Sequence, residues 1–268
     1  MSLVRPDSTS EVSPTQAFDF LIVPIALVGS VACAATPLLS ILVWLCSMAV
    51  HEVGHAIGFI LSSRIAVPTF GFTVPLQSEP SIYTFGGLLL LGGGWHWGAW
   101  RSGYYLLGSI PIALAPLLLL FSWVVPRQWA DEFAILAGQG GELVLGAFLL
   151  IIFFQPMPQL FRWRVNRYLF LVIGAGALSS ALHRWLQASR DASQLPLGAF
   201  IDFNRIFGEG SESSGDMDRL IREFGWTADE LVSLFMWMSL GTVVVLLGVY
   251  LSMLYRHVSQ LTRFRESQ

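Results

Sequence analysis

Hydrophobic residues form six long stretches along the chain, separated by shorter polar segments. They lie near residues 18–35, 38–62, 103–125, 131–155, 166–187 and 229–255. Because a helix needs about 20 mostly apolar residues to cross the hydrocarbon core of a bilayer, each stretch predicts a transmembrane helix. The first two stretches belong to one apolar block, which Pro37 divides because proline begins a helix well but interrupts its interior.

The overall composition agrees with a membrane protein. Hydrophobic residues make up 54% of the chain and charged residues only 12%, whereas soluble domains have about 25% charged residues. This hydrophobicity also excludes a disordered chain. The sequence therefore predicts an all-α polytopic membrane protein in contact with the lipid bilayer. All 15 basic residues are arginines and none of them forms a basic run, so no nucleic-acid partner is expected.

The arginine positions predict an orientation. Most arginines border the spans on the side that holds both termini, namely Arg5, Arg64, Arg101, Arg162, Arg164, Arg167, Arg256, Arg263 and Arg265. The positive-inside rule then places both termini in the cytoplasm of a plasma membrane such as the bacterial inner membrane. In this arrangement the second and fourth spans both run from the outside towards the cytoplasm.

These features divide the chain into four regions. A polar tail (1–17) precedes a transmembrane core (18–187), an acidic extracytoplasmic loop (188–228), and a last transmembrane helix with a cytoplasmic tail (229–268). The loop contains DMDRLIREF, which predicts a short amphipathic helix. We interpret the loop as a solvated region with this one packing helix, and a surface that recruits a partner is the alternative. Within the core, residues 64–85 are rich in β-branched, aromatic, Pro and Gly residues, which predicts a small β-like membrane-associated segment. Gly92-Gly93-Gly94 predicts a flexible joint.

The second predicted span contains His51-Glu52-Val53-Gly54-His55, an H-E-x-x-H motif. Helical spacing places both imidazoles on one face, where they can bind a single Zn²⁺ ion. Glu52 is placed to take a proton from water at that metal. Ionisable residues inside a span are costly, and we therefore interpret His51, Glu52 and His55 as functional rather than as a packing cluster.

A catalytic zinc ion needs a third protein ligand, and Glu142 is the acid that lies deepest in another predicted span. If the second and fourth spans run in the same direction, equal offsets along them mean equal depths, and Glu142 lies within one or two turns of the histidines. The sequence therefore predicts that His51, His55 and Glu142 bind one Zn²⁺ ion per chain. A polar residue hydrogen-bonded to Gln139 or to a neighbouring helix remains the alternative for Glu142. Asp131, Asp202 and His96 are the other candidate ligands, in that order.

The H-E-x-G-H motif within an early span resembles the site-2-protease family of intramembrane zinc metalloproteases. In that family a β-like segment follows the motif, as residues 64–85 do here, and a later span brings an Asp as third ligand. The resemblance covers about residues 38–155 and is specific at His51–His55. The sequence departs from the family at Glu142, which stands in place of that Asp, so the chain resembles a divergent member.

The motif and the resemblance together predict a zinc metalloendopeptidase that hydrolyses a peptide bond in or near a transmembrane segment of a protein substrate. Gly71, Gly86 and Gly87 in and after the β-like segment are candidate substrate-binding positions, where an extended substrate strand could pair. The alternative is a non-proteolytic membrane protein that keeps the metal for structure or sensing.

Overall fold

The computed structural model describes residues 17–155, 163–191, 194–195 and 215–266. The N-terminal tail up to residue 16, Asp202 and most of the acidic loop lie outside the described residues. The described helices are α1 (Ala17–Ala34), α2 (Pro37–Leu61), α3 (Ile82–Arg101), α4 (Tyr105–Leu119), α5 (Arg127–Ile152), α6 (Trp163–Arg190), α7 (Asp216–Phe224) and α8 (Ala228–Glu266). A π-helical turn, Leu120–Val124, continues α4. Two short strands, β1 (Ala66–Pro68) and β2 (Thr73–Pro75), form an antiparallel hairpin in which Ala66 lies opposite Pro75.

Five of the described helices are long and apolar enough to cross a membrane, which agrees with an all-α multi-pass membrane protein. They are α2, α4 with its π-helical turn, α5, α6 and α8. The hairpin lies within the segment for which the sequence predicted β-like structure. The first predicted span corresponds to α1, whose apolar part, Asp19–Ala34, is shorter than these five helices.

Helices α2 and α5 form the tightest contact in the bundle. A Cβ atom on Gly54 would overlap the carbonyl oxygen of Ala137, and one on Gly141 would lie 2.7 Å from the Gly54 Cα. A Cβ on Gly58 would likewise lie 2.7 Å from the Ala134 Cα. Glycine therefore permits a backbone approach that a larger residue would prevent, as small residues do between membrane helices.

These contacts show that α2 and α5 are antiparallel, because Gly54 contacts Gly141 whereas the later Gly58 contacts Ala134. The prediction that these two helices run in the same direction is wrong. The error arises from α3, a helix between α2 and α4 in the chain that runs along the bundle and was not predicted.

Helix α3 contains the three glycines for which the sequence predicted a flexible joint. Ser81 caps its first turn by accepting a hydrogen bond from the Thr84 amide. The helix packs antiparallel to α4, where the Trp95 Nε1 and His96 Nδ1 atoms lie 3.0 and 2.8 Å from the carbonyl oxygens of Leu107 and Gly108. Glycine is a weak helix former, and here packing against α4 outweighs that propensity.

Helix α1 begins and ends at the same end of the bundle. Its first turn pairs Asp19 with Arg167 at the start of α6, and Phe20 stacks on Phe154 just after α5, with ring centroids 5.2 Å apart. Two residues after α1, Pro37 begins α2, and the antiparallel contact with α5 places this residue at that same end. Helix α1 therefore lies across the bundle instead of running along it.

The hairpin and α7 lie at the opposite end of the bundle. Arg64, beside the hairpin, pairs with Asp131 near the start of α5. The Trp226 Nε1 atom, just after α7, donates to Glu132 Oε1 over 2.6 Å. The buried face of α7 consists of Met217 and Leu220, which are fully enclosed in the main hydrophobic cluster. This end of the bundle holds the candidate site.

Candidate metal centre

The two histidines of the motif lie on one face of α2, as their spacing predicts. Both are buried, and their Nε2 atoms are 3.0 Å apart. The rings are nearly perpendicular, with centroids separated by 4.6 Å. Two imidazole nitrogens one helical turn apart are thereby directed at one point between α2 and its neighbours.

The other nitrogen of each ring faces an acceptor, which is a backbone carbonyl oxygen for His55 and the carboxylate of Glu142 for His51. His55 Nδ1 donates to the Ala134 carbonyl oxygen over 2.8 Å, and His51 Nδ1 donates to Glu142 Oε1 over 2.9 Å. Each Nδ1 must therefore carry the proton, which leaves the lone pair of a neutral ring on Nε2. Histidine ligands of metals are commonly oriented in this way.

Asp216, the first residue of α7, completes the cluster. Its Oδ2 atom lies 2.8 Å from His51 Nε2 and 2.9 Å from His55 Nε2. Burial alone would raise the pKa of the Asp216 carboxyl, but the hydrogen bonds that His51 and His55 donate when their Nε2 atoms carry protons outweigh burial and hold that pKa below its ordinary value. Asp216 is thus an ionised carboxylate at neutral pH. Among the described residues, His51, His55 and Asp216 form a group that could hold a metal ion.

The donor set fits a metal ion for an electrostatic reason. With the Nδ1 protons committed elsewhere, two nitrogen lone pairs and a carboxylate oxygen face one another, and either a proton on Nε2 or a metal ion supplies the positive charge that this arrangement needs. Around a tetrahedral ion with bonds of about 2.0–2.1 Å the donors are about 3.3 Å apart, whereas here they are 2.8 to 3.0 Å apart. Small outward movements would therefore accommodate the ion.

Gly138 on α5 forms the wall of the same space. A Cβ atom at this position would lie 2.8 Å from His51 Nε2 and closer still to His55 Nε2. The absence of a side chain therefore leaves room at the two ligating nitrogens. Three helices therefore meet at the candidate metal centre. Helix α5 contributes Gly138, α2 contributes His51 and His55, and α7 contributes Asp216.

Glu142 lies beside this centre but on the other edge of the His51 ring. Its carboxylate contacts His51 Nδ1, whereas Asp216 contacts His51 Nε2. It also accepts hydrogen bonds from Ser47 and Arg184. The carboxylate that could share one ion with His51 and His55 is therefore that of Asp216, whereas the sequence predicted Glu142. Glu142 lies near His51 although α5 runs opposite to the predicted direction. A residue near the middle of a span keeps its depth whichever way the span runs.

Glu52 is buried next to His51 and is oriented by the hairpin. Thr73 Oγ1, at the start of β2, lies 2.7 Å from Glu52 Oε2 and 2.9 Å from the Glu52 carbonyl oxygen. The threonine hydroxyl can donate to either acceptor. The carboxylate of the H-E-x-x-H glutamate is thereby linked to β2.

The remaining predicted positions lie away from the metal centre. Asp131 pairs with Arg64, and His96 hydrogen-bonds to Gly108 between α3 and α4. Gly71, with a φ of +103°, lies in the turn between β1 and β2. Gly86 and Gly87 lie in the first turns of α3, where their helical backbone offers no strand edge, and their role in substrate binding stays a prediction.

Sequence reasoning missed Asp216. This residue is separated from His51 by 165 positions and lies in a loop that was interpreted as a solvated region with a packing helix. One signal could have found it, because DMDRLIREF places an acid at the start of a helix whose other face must be buried. No protein-family model, curated protein or solved structure matches this chain.

Proposed function

We propose that this protein is an intramembrane zinc metalloendopeptidase of the site-2-protease type. The observation that carries the proposal is the convergence of His51 Nε2, His55 Nε2 and the Asp216 carboxylate within 3.0 Å of one another, with both histidines on a helix that also carries the H-E-x-x-H glutamate. Two histidines and one carboxylate match the three protein ligands of a catalytic zinc site, which keeps one further position for water or substrate. The apolar helices around it support a substrate that lies within or beside the membrane.

The residues take distinct roles in this proposal. His51, His55 and Asp216 would hold the zinc ion, which when bound polarises water and the scissile carbonyl group. Glu52 would accept the proton of the attacking water and deliver it to the leaving amide nitrogen. The Thr73 hydroxyl donates to the Glu52 carboxylate and orients it.

The hairpin supports a mode of substrate binding. A substrate helix must unwind locally before its carbonyl groups can be attacked, and an unwound segment can pair with a strand edge. The link from Thr73 to Glu52 places β2 next to the proposed base. A substrate strand that pairs with this hairpin, whose turn contains Gly71, would therefore pass close to Glu52.

The exchange of Glu52 for Gln tests proteolysis. The variant and the wild-type protein are reconstituted in liposomes with solubilised bacterial inner-membrane proteins, and new N-termini are identified by mass spectrometry. We expect wild-type protein to produce termini within or beside transmembrane segments, and the Glu52→Gln variant to bind metal but produce none of them. Glu79→Gln, an exposed acid paired with Arg127, is the control that should retain cleavage.

A second candidate function is a metal-binding membrane protein without proteolytic activity. The cluster of His51, His55 and Asp216 favours metal binding whether or not a peptide bond is cleaved. If metal binds stoichiometrically and no cleavage depends on Glu52, this second function replaces the protease.

We further place both termini on the cytoplasmic side of a plasma membrane. The arginine groups 162–167 and 256–265 support this orientation, since they border the start of α6 and the end of α8. Single cysteines at Ser78, Ser102 and Ser259, in a protein without Cys33 and Cys46, test it by labelling with an impermeant reagent. Because α3 runs along the bundle, residues 102 and 259 should share a side and residue 78 should lie opposite. Residues 78 and 102 on one side would remove α3 from the crossing helices.

A further inference from the structure

We propose that Glu142 and Arg184 form a buried positioning pair that fixes His51 as a metal ligand, with Glu142 acting on the histidine directly and Arg184 acting through Glu142. This inference rests on the metal site within the proposed function. It does not depend on proteolysis, because its effect is measured as metal affinity.

The first support is the burial and contact pattern of Glu142. Its side chain is 1% exposed and faces three donors, which are Ser47 Oγ, His51 Nδ1 and an Arg184 guanidinium nitrogen. A carboxylate so deeply buried needs a cation beside it to compensate its charge. Arg184 supplies that charge from α6, and its side chain is itself 24% exposed.

The second support is the state of the His51 ring. An ionised Glu142 can only accept, so it holds the proton on Nδ1 and directs the Nε2 lone pair towards His55 and Asp216. The Glu142 carboxylate, which Arg184 also contacts, therefore fixes the ring in the orientation that directs Nε2 to the metal centre.

His55 offers an internal comparison. Its Nδ1 is held by the Ala134 carbonyl oxygen, a backbone group whose acceptor character does not depend on a counter-charge. His51 alone relies on a side-chain acceptor, and so the pair formed by Glu142 and Arg184 acts on one ligand of the two. Loss of this pair should lower the metal affinity of the site without removing a ligand.

The experiment measures zinc affinity by competition with a chelator in detergent micelles, using Glu142→Gln, Arg184→Gln, Arg184→Lys and the double variant Glu142→Gln with Arg184→Gln. Glutamine preserves the shape of Glu142 but cannot hold the Nδ1 proton as strongly. We expect Glu142→Gln to lower affinity about 10- to 100-fold, the range typical of groups that orient metal ligands. Arg184→Lys should retain part of the zinc affinity that Arg184→Gln loses, because lysine keeps the positive charge.

The double variant tests whether Arg184 acts through Glu142. If it does, the double variant binds zinc no more weakly than Glu142→Gln alone, because the group that Arg184 compensates is already neutral. Arg167→Gln is the matched control. Arg167 lies on the same helix with a side chain 25% exposed and pairs with the buried Asp19 far from the site, so its loss should leave zinc affinity unchanged.

Ser47→Ala provides a milder variant that should fold normally and lose affinity near the lower end of the same range, because it removes one donor to Glu142. Wild-type affinity in folded Glu142→Gln would overturn the proposal. Complete loss of zinc in that variant, equal to the loss in His51→Ala, would also overturn it, because Glu142 would then be a ligand. Independent losses that add in the double variant would refute the indirect role of Arg184.

Discussion

The two histidines and Asp216 reach the same point from regions of the molecule that are held in different ways. His51 and His55 belong to α2, whose backbone lies against α5 through contacts between glycines such as Gly54 and Gly141. Asp216 begins a helix of nine residues, α7, which is anchored by the side chains of Met217 and Leu220. The histidine positions are therefore fixed by close packing of long helices, whereas the Asp216 position depends on the docking of one short helix.

This difference indicates how each half of the site can fail. Local structures with few anchoring side chains open at lower free-energy cost than the packed core. A change at the α2–α5 contact should act on the histidines directly, and a change in α7 should act through the fraction of molecules in which Asp216 is docked.

The largest effect is expected for Gly138→Ala, which adds one methyl group to the wall of the site. That methyl would lie 2.8 Å from His51 Nε2 and closer to His55 Nε2, so the rings must leave the positions in which they share an ion. We expect zinc binding to be abolished while circular dichroism stays helical, since alanine favours a helix more than glycine does. Gly140→Ala, whose methyl would meet only the flexible end of Met238, should keep its zinc. Equal zinc contents in the two variants would contradict the placement of the ion beside Gly138.

The next effect is that of Asp216→Ala, which removes a charged ligand but leaves both histidines in place. Zinc affinity should fall by more than the roughly 100-fold upper range seen for groups that only orient ligands. Asp218→Ala, two residues further along α7 and paired with Arg222, is the control and should bind zinc normally. A similar affinity in both variants would remove Asp216 from the ligand set.

The smallest effect is expected for Leu220→Ala, which weakens the docking of α7. Truncation of a fully buried leucine costs about 2–5 kcal/mol in a packed core, so zinc affinity should fall through partial undocking. The loss cannot exceed that of Asp216→Ala, because complete undocking removes only that ligand. Arg219→Ala, which breaks an exposed pair with Glu223, should have little effect. A larger loss in Leu220→Ala than in Asp216→Ala would show that α7 supports the histidines as well.

The same contrast explains how much the sequence could predict. The H-E-x-x-H spacing defines a helix face by local geometry alone, so His51 and His55 were predicted to lie together, as they do. Glu142 was predicted to lie near them from depth, yet depth does not specify which ring nitrogen a carboxylate contacts. Asp216 could not be derived in this way, because its position depends on how a loop helix docks and not on its distance along a span.

The helix directions show the same limit. The predicted apolar stretches correspond to helices, and β-like structure was expected where the hairpin lies. Helix α3 was missed because Gly92, Gly93 and Gly94 suggest a joint, and its helical form depends on packing against α4. That single omission reversed the predicted direction of α5 relative to α2.

The zinc content of the purified protein is the clearest test of a metal site formed by His51, His55 and Asp216. Protein prepared without chelators is analysed by mass spectrometry of the metal, with wild-type protein measured beside His55→Ala and His96→Ala. We expect about one zinc per chain in wild-type protein and in His96→Ala, since His96 is hydrogen-bonded to Gly108 away from the site, and almost none in His55→Ala. A wild-type protein without metal after incubation with zinc, or a full equivalent retained by His55→Ala, would rule out this metal site.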